Sequence, residues 1–175
     1  MRKITNAELG RPNPEQYARS GKLNVAVVLD NVRSAGNVGS FFRTCDAFGV
    51  GEIILCGITA VPPSKEIHKT ALGAELTVAW RNFPDTVSAV DQLRSEGYAI
   101  LAVEQAEGAE SLAGLELDHD GKYALVFGNE VDGVSQVVMD MADGAIEIPQ
   151  VGTKHSLNVA VSGGAVLWEF FRQLS

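Results

Sequence analysis

The sequence predicts an α/β fold, a mostly parallel sheet with helices on both faces, and three observations carry that prediction. Val25–Leu29 is an unbroken apolar run ending at Asp30, the pattern of a strand buried on both faces. A glycine-containing loop, Asn31–Gly36, then opens onto Val38–Phe48, where Val38, Phe41, Phe42, Cys45 and Phe48 recur at helical spacing. That strand–loop–helix unit repeats in looser form along the chain, and such alternation builds parallel sheets.

The remaining elements follow in order. Residues 1–22 are polar and broken by Gly10, Pro12 and Pro14, which predicts a short tail with one helical turn at Glu15–Arg19. Further strands are expected at Ile53–Leu55, Thr77–Trp80, Ala99–Val103, Tyr123–Phe127 and Ala145–Ile148. Helices are expected at Lys65–Leu72, at Thr86–Glu96 with an inner stripe of Val87, Val90 and Leu93, at Val134–Met141, and from Ser156 through Phe171. The last is apolar nearly all round, which predicts burial against its own sheet and against a second subunit. With 175 residues, 46% of them hydrophobic, the expectation is one domain over 23–175 after the tail 1–22.

Composition narrows the function. No run approaches the roughly 20 apolar residues that cross a bilayer, and the N-terminus lacks the apolar core of a secretion signal, so a cytoplasmic protein with no membrane association is expected. Cys45 and Cys56 have neither CxxC spacing nor a neighbouring histidine, which predicts two buried thiols and no metal site. The net charge of −8 is unfavourable for a nucleic-acid binder. Its distribution is uneven: residues 1–81 carry ten Lys/Arg against seven Asp/Glu, whereas residues 82–175 carry four against fifteen. Only the first half has the positive balance with which a phosphate backbone could be faced, with Arg33, Lys65, His68, Lys69 and Arg81 as a candidate patch or, equally, a solvated charged face.

Three stretches hold polar residues that a purely structural chain would not need, all at carboxyl ends of expected strands, where open α/β sheets bind ligands. The first runs from Asp30 through Asn37 to Gly39, with Arg43-Thr44 on the following helix. Asn37 is open to reading as a helix cap and Arg43 as a solvated residue. Against the latter, Arg43 sits among Phe41, Phe42 and Cys45, an apolar setting where a guanidinium needs an anionic partner. The second is Val126-Phe127-Gly128-Asn129-Glu130 with Gly133, either a ligand-approaching glycine with an amide and a carboxylate or an ordinary turn with a capping acid. The third runs from Ile148-Pro149 to Ser156-Leu157-Asn158-Val159, with Ser156 as the expected helix cap and Lys154 and His155 beside it. Gly36-Asn37-Val38-Gly39 lacks the three-glycine dinucleotide spacing, and GxxxxGK[ST] is absent, so neither nucleotide loop is supported.

Together, in this order and spacing, the three stretches resemble the three motifs of the SpoU/TrmH branch of the SPOUT methyltransferases. Asn37-Val38-Gly39 with Arg43-Thr44 and Asp46–Val50 matches the first, Val126–Glu130 with Gly133 the second, and Ile148-Pro149, Gly152 and Ser156–Val159 the third. The resemblance covers the chain from about Asn24 onward and implies a SPOUT fold whose C-terminal segment forms a trefoil knot. It further implies S-adenosyl-L-methionine (SAM) as cofactor, bound near Val103, Gly128, Asn129, Ile148 and Leu157, and a homodimer formed through the knot and the C-terminal helix. It implies a catalytic set of Asn37, Arg43, Glu130, Ser156 and Asn158, with Arg43 donated across the dimer. The activity implied is methylation of a ribose 2′-hydroxyl in tRNA or rRNA. The alternatives are a base methyltransferase of the same fold, a non-catalytic RNA-binding protein, and an enzyme using the same cofactor on a small molecule. Two departures stand out: Ala35-Gly36 replaces the proline that often precedes the motif-one asparagine, and the extra RNA-binding domain of many members is not expected within these residues, beyond the short tail.

Overall fold

The computed structural model describes residues 1–5 and 7–175. Strand β1 (Leu23–Asp30) leads into helix α2 (Ala35–Phe48) and strand β2 (Val50–Cys56), after a short helix α1 (Pro14–Arg19). Helix α3 (Lys65–Ala71), strand β3 (Ala79–Phe83), helix α4 (Thr86–Ser95) and strand β4 (Ala99–Val103) follow. The last part comprises β5 (Glu110–Ser111), β6 (Tyr123–Phe127), α5 (Gln136–Met141), β7 (Gly144–Glu147) and α6 (Val159–Leu174). The seven strands form one sheet in the order β3-β2-β1-β6-β4-β7-β5, and every neighbouring pair is parallel.

The two-sided apolar pattern of β1 does what it predicts. Val25, Val27 and Leu29 point to one face, where Phe41, Phe42, Val166 and Phe170 join them, while Ala26 and Val28 point to the other, against Ala89, Val90, Leu93 and Val138. Helices α2 and α6 thus cover one face, and α4 and α5 the other. Gly163 on α6 allows the close approach of Phe41, whose ring would lie 2.3 Å from an added Cβ, and Phe41 in turn packs on Phe127 with ring centroids 5.0 Å apart.

Several boundaries differ from expectation for local reasons. Helix α2 begins at Ala35, not Val38, because the Ser34 side chain caps it by accepting from the Asn37 amide. The third strand is Ala79–Phe83, not Thr77–Trp80: Thr77 ends a 3-10 turn, where its hydroxyl donates to Asp46 at 2.7 Å. Helix α5 begins at Gln136, not Val134, and α6 at Val159, not Ser156. The two-residue strand β5 was not expected from the pattern. The final helix is buried along Gly163, Val166, Leu167 and Phe170, but leaves Val161 58% and Trp168 52% exposed.

Candidate active site

At the carboxyl ends of β4, β6 and β7, three loops enclose a cleft of about 510 Å³, within the range typical of small-molecule sites. Its position, where the sheet order departs from the chain order, is where open α/β sheets place ligands. Val103, Gly128, Asn129, Ile148 and Leu157 all line it, as do Glu130, Ser156 and Asn158. Asn37 stands behind this wall, joined to it by hydrogen bonds, and Arg43 lies outside it.

Because Ser34 caps α2, the Asn37 side chain is free of that duty. Its Nδ2 donates to Glu130 Oε1 at 2.8 Å, and its Oδ1 accepts from Asn158 Nδ2 at 3.2 Å. One residue from each of the three sequence stretches thereby joins a single chain of hydrogen bonds. The capping alternative for Asn37 is excluded.

Glu130 is the hub. Its carboxylate also accepts from the Arg33 amide at 2.9 Å and the Ser34 amide at 3.0 Å. Partial burial acts to raise its pKa, but the N–H donors of Arg33, Asn37 and Ser34 prevail and hold the carboxyl below its ordinary value. It caps no helix of its own; its partners lie almost a hundred residues earlier. The turn bearing it is closed by Asn129 and Gly133, which exchange two backbone hydrogen bonds of 3.1 Å, with Gly133 at φ +71°. Gly128 leaves no room for a side chain: an added Cβ would lie 1.8 Å from the Gly133 carbonyl carbon.

In the third loop Asn158, not Ser156, caps the last helix: its Oδ1 accepts from the amides of Ala160 at 3.0 Å and Val161 at 3.3 Å. The capping role expected of Ser156 fails because the helix starts two residues later. Ser156 is instead exposed at the cleft, and the carbonyl of neighbouring His155 accepts from Gln105 Nε2 at 2.9 Å.

Two readings of cationic residues need correction. Arg43 is not in an apolar setting; it is exposed on α2, because the helix turns Phe41, Phe42 and Cys45 inward and Arg43 outward. Among the described residues it makes no hydrogen bond. Arg81 does not belong to an RNA-facing patch, since it is held bidentately by Glu52 at 2.7 and 2.8 Å and also bound by Glu96 at 2.8 and 3.0 Å. His68 faces Glu75 at 2.5 Å and Lys69 pairs with Glu66 at 2.7 Å.

Sequence reasoning passed over Glu104 and Gln105, and took in Asp30 and Ser34 only as members of the first stretch, with no role for either. Glu104-Gln105 directly follows the strand-ending Val103, so the rule applied to the other three loops would have found it. Among the described residues no group of side chains could hold a metal ion.

The sequence profile of the SpoU rRNA Methylase family matches residues 24–168. The chain belongs to the SpoU methylase family. This SpoU chain is 35% identical over 173 residues to a tRNA (guanosine(18)-2′-O)-methyltransferase of Thermus thermophilus, covering 99% of the chain and 86% of that relative. Its fold resembles the A. aeolicus TrmH/SpoU tRNA modifying enzyme, with a TM-score of 0.80 at 28% identity over 91% of this chain and 80% of that one. It equally resembles an AdoMet-bound rRNA methyltransferase from Sinorhizobium meliloti, with a TM-score of 0.80 at 31% identity over 93% of this chain and 60% of that one. The profile spans all three loops of the SpoU site. No helix among the described residues is long and apolar enough to cross a membrane.

Proposed function

We propose that the chain is a SAM-dependent RNA methyltransferase that places a methyl group on a ribose 2′-hydroxyl of tRNA, acting as a cytoplasmic homodimer. The observation that carries this reading is the Glu130–Asn37–Asn158 chain of hydrogen bonds beside the cleft, which draws the three motifs into one site. Family membership supports the reaction class. tRNA is favoured over rRNA because the Thermus relative, matched over most of its own length, is named for tRNA.

The cleft fits SAM on its own chemistry. Val103, Phe127, Ile146, Ile148 and Leu157 offer apolar walls, while Glu104, Glu130, Asp132 and Glu147 put carboxylates around it, a negative surround suited to a sulfonium cation. When bound, the cofactor supplies an electrophilic methyl group, and no metal is needed. The residues of the chain then have to orient the ribose in line with that group and stabilise charge on its oxygen. Asn37, Glu130, Ser156 and Asn158 orient the ribose and hold the second and third loops together. Arg43, supplied across the dimer, stabilises the developing alkoxide and a neighbouring phosphate, with the proton passing to phosphate or water. A guanidinium with a pKa above about 12 does not serve as the base.

The dimer is supported by the exposed side of α6, where Val161 and Trp168 share one face and the Trp168 ring packs at a tilt against Phe48 and Phe171 with centroids 5.8 and 5.9 Å apart. The trefoil knot is supported by the path of residues 148–158, which pass the β4–β5 connection and bond to Gln105 before α6 returns to pack on α2. We assign residues 23–175 to one SPOUT domain and residues 1–22 to a polar tail.

The test is transfer of labelled methyl from SAM to unmodified tRNA, followed by nuclease digestion to nucleosides. Label recovered in a 2′-O-methylnucleoside is expected. Label on a base makes the chain a base methyltransferase, label accepted only by rRNA moves the substrate there, and RNA binding without transfer to either RNA makes it a non-catalytic RNA binder.

A further inference from the structure

Strand β6 lies between β1 and β4, and their registers align Leu29 and Val103 with Phe127. The next residues along the three strands are therefore level at the carboxyl edge: Asp30, Gly128 and Glu104. The loop leaving β6 is gripped from both flanks. Asp30 Oδ2 accepts from the Ser135 amide at 3.0 Å, and Glu104 Oε2 accepts from the adjacent Val134 amide at 3.1 Å.

We propose that Asp30 and Glu104 are positioning residues for methyl transfer, two carboxylates that hold consecutive amides of the motif-two loop and so set where Glu130 stands. The inference rests on the methyltransferase reading above. Three features support it. Asp30 is only 1% exposed, yet all its contacts are donors: besides Ser135, the Thr86 hydroxyl at 2.5 Å and Asn31 Nδ2 at 2.9 Å. Glu104 likewise uses its other oxygen on the Gln105 amide at 2.9 Å. A buried carboxyl group is an expensive way to end a turn, and Ser135 stands at the head of α5 without using its own side chain as a cap. Finally, Gly133 is shaped to Glu104: a Cβ there would lie 2.2 Å from Glu104 Oε2.

The grip reaches the site through the short, hydrogen-bonded turn 129–133. Glu130 is fixed at its carboxylate by Arg33, Ser34 and Asn37, and its backbone is fixed by the turn that Asp30 and Glu104 stake to the sheet. Asn or Gln in place of either acid keeps the size but turns an NH₂ toward a donor.

The experiment compares wild type with Asp30→Asn and Glu104→Gln. Amide hydrogen exchange, followed by NMR on the protein without RNA, is expected to quicken at least about tenfold at Val134 and Ser135, with Val27 and Ile54 unchanged. With tRNA and saturating SAM, kcat is expected to fall about 10²-fold, the cost of a displacement near 1 Å, while KM for RNA holds. Unchanged kcat in both variants overturns the inference, and so does a fall in kcat without faster exchange at Val134 and Ser135. Should Asp30→Asn melt far below wild type, Glu104→Gln alone decides, since Glu104 is half-buried at the cleft. A wild type that transfers no methyl to RNA refutes the methyltransferase reading, and the grip is then judged on exchange alone.

Discussion

Replacing Gly128 by alanine tests the cleft at its tightest point. The added Cβ would lie 1.8 Å from the Gly133 carbonyl carbon, 2.0 Å from the Val134 nitrogen and 2.2 Å from the Gly133 oxygen. All three are backbone atoms, so no side chain can rotate away. Restoring ordinary contact, at 3.4 Å or more, moves the 129–134 turn outward by about 1.5 Å, more than close-packed interiors absorb without strain. Overpacking of this kind costs about 1–3 kcal/mol, roughly 2–12 °C in melting temperature for a chain of this size. The larger effect is on the reaction, because the same shift carries Glu130 away from Asn37, and a displacement near 1 Å is worth about 10²-fold in rate. Calorimetric titration with SAM, differential scanning fluorimetry and single-turnover methylation measure the three parts. Gly152→Ala is the control, since nothing lies within 4 Å of its Cβ. A Gly128→Ala protein with wild-type SAM affinity and wild-type rate would refute the reasoning.

Asn158→Ser keeps a capping oxygen for α6 but removes the donor to Asn37, so melting should shift by a few tenths of a kcal/mol at most while single-turnover methylation falls; Asn158→Ala should lose both, with about 1 kcal/mol of stability. Glu130 titrates with the sign of a depressed acid: its contribution is fully present above the ordinary carboxylate value of 4.5 and is lost as pH falls through the lower folded value. Methylation should thus hold from neutral pH down to that range, and chemical denaturation at graded pH should show Glu130→Gln without this acid-side loss. Arg43→Ala, at an exposed position, should unfold within about 0.5 kcal/mol of wild type yet be inactive. Mixing Arg43→Ala with Asn37→Ala and allowing subunits to exchange should recover about a quarter of wild-type sites, because only one site of each mixed dimer is intact; no recovery would show that each chain supplies its own arginine.

Much of this site was legible because strand ends announce themselves. The apolar runs 25–29, 99–103 and 123–127 mark three strands whose following polar residues belong at the carboxyl edge, and the motif resemblance named ten residues, of which eight line one cleft. What stayed hidden was which side chain satisfies which amide. Ser34 and Asn37 are both good caps three residues apart, as are Ser156 and Asn158 two apart, and only the tertiary partner decides. Glu130 takes Asn37, leaving Ser34 to cap α2, and Asn158 both caps α6 and donates to Asn37. Sheet order was equally hidden, and with it the pairing of Asp30 and Glu104 across β6, because short parallel strands carry no sequence record of their neighbours.

Arg43 was singled out for a reason the fold overturns, and the corrected setting argues for the same assignment by another route. An apolar neighbourhood in sequence becomes two opposite faces on a helix, so Phe41 and Phe42 say nothing about the charge between them. Six residues separate Arg43 from Asn37, about 9 Å along the axis, and Arg43 is exposed and does not line the cleft of its own chain. Without a partner among the described residues, it costs little to keep in water and little to surrender to an anion. On α6, which packs against α2, the exposed Val161 and Trp168 make an apolar surface that a second copy would bury. A charge that is exposed, free of partners among the described residues and outside the cleft of its own chain suits use across an interface, and the mixed-variant experiment decides whether it is used there.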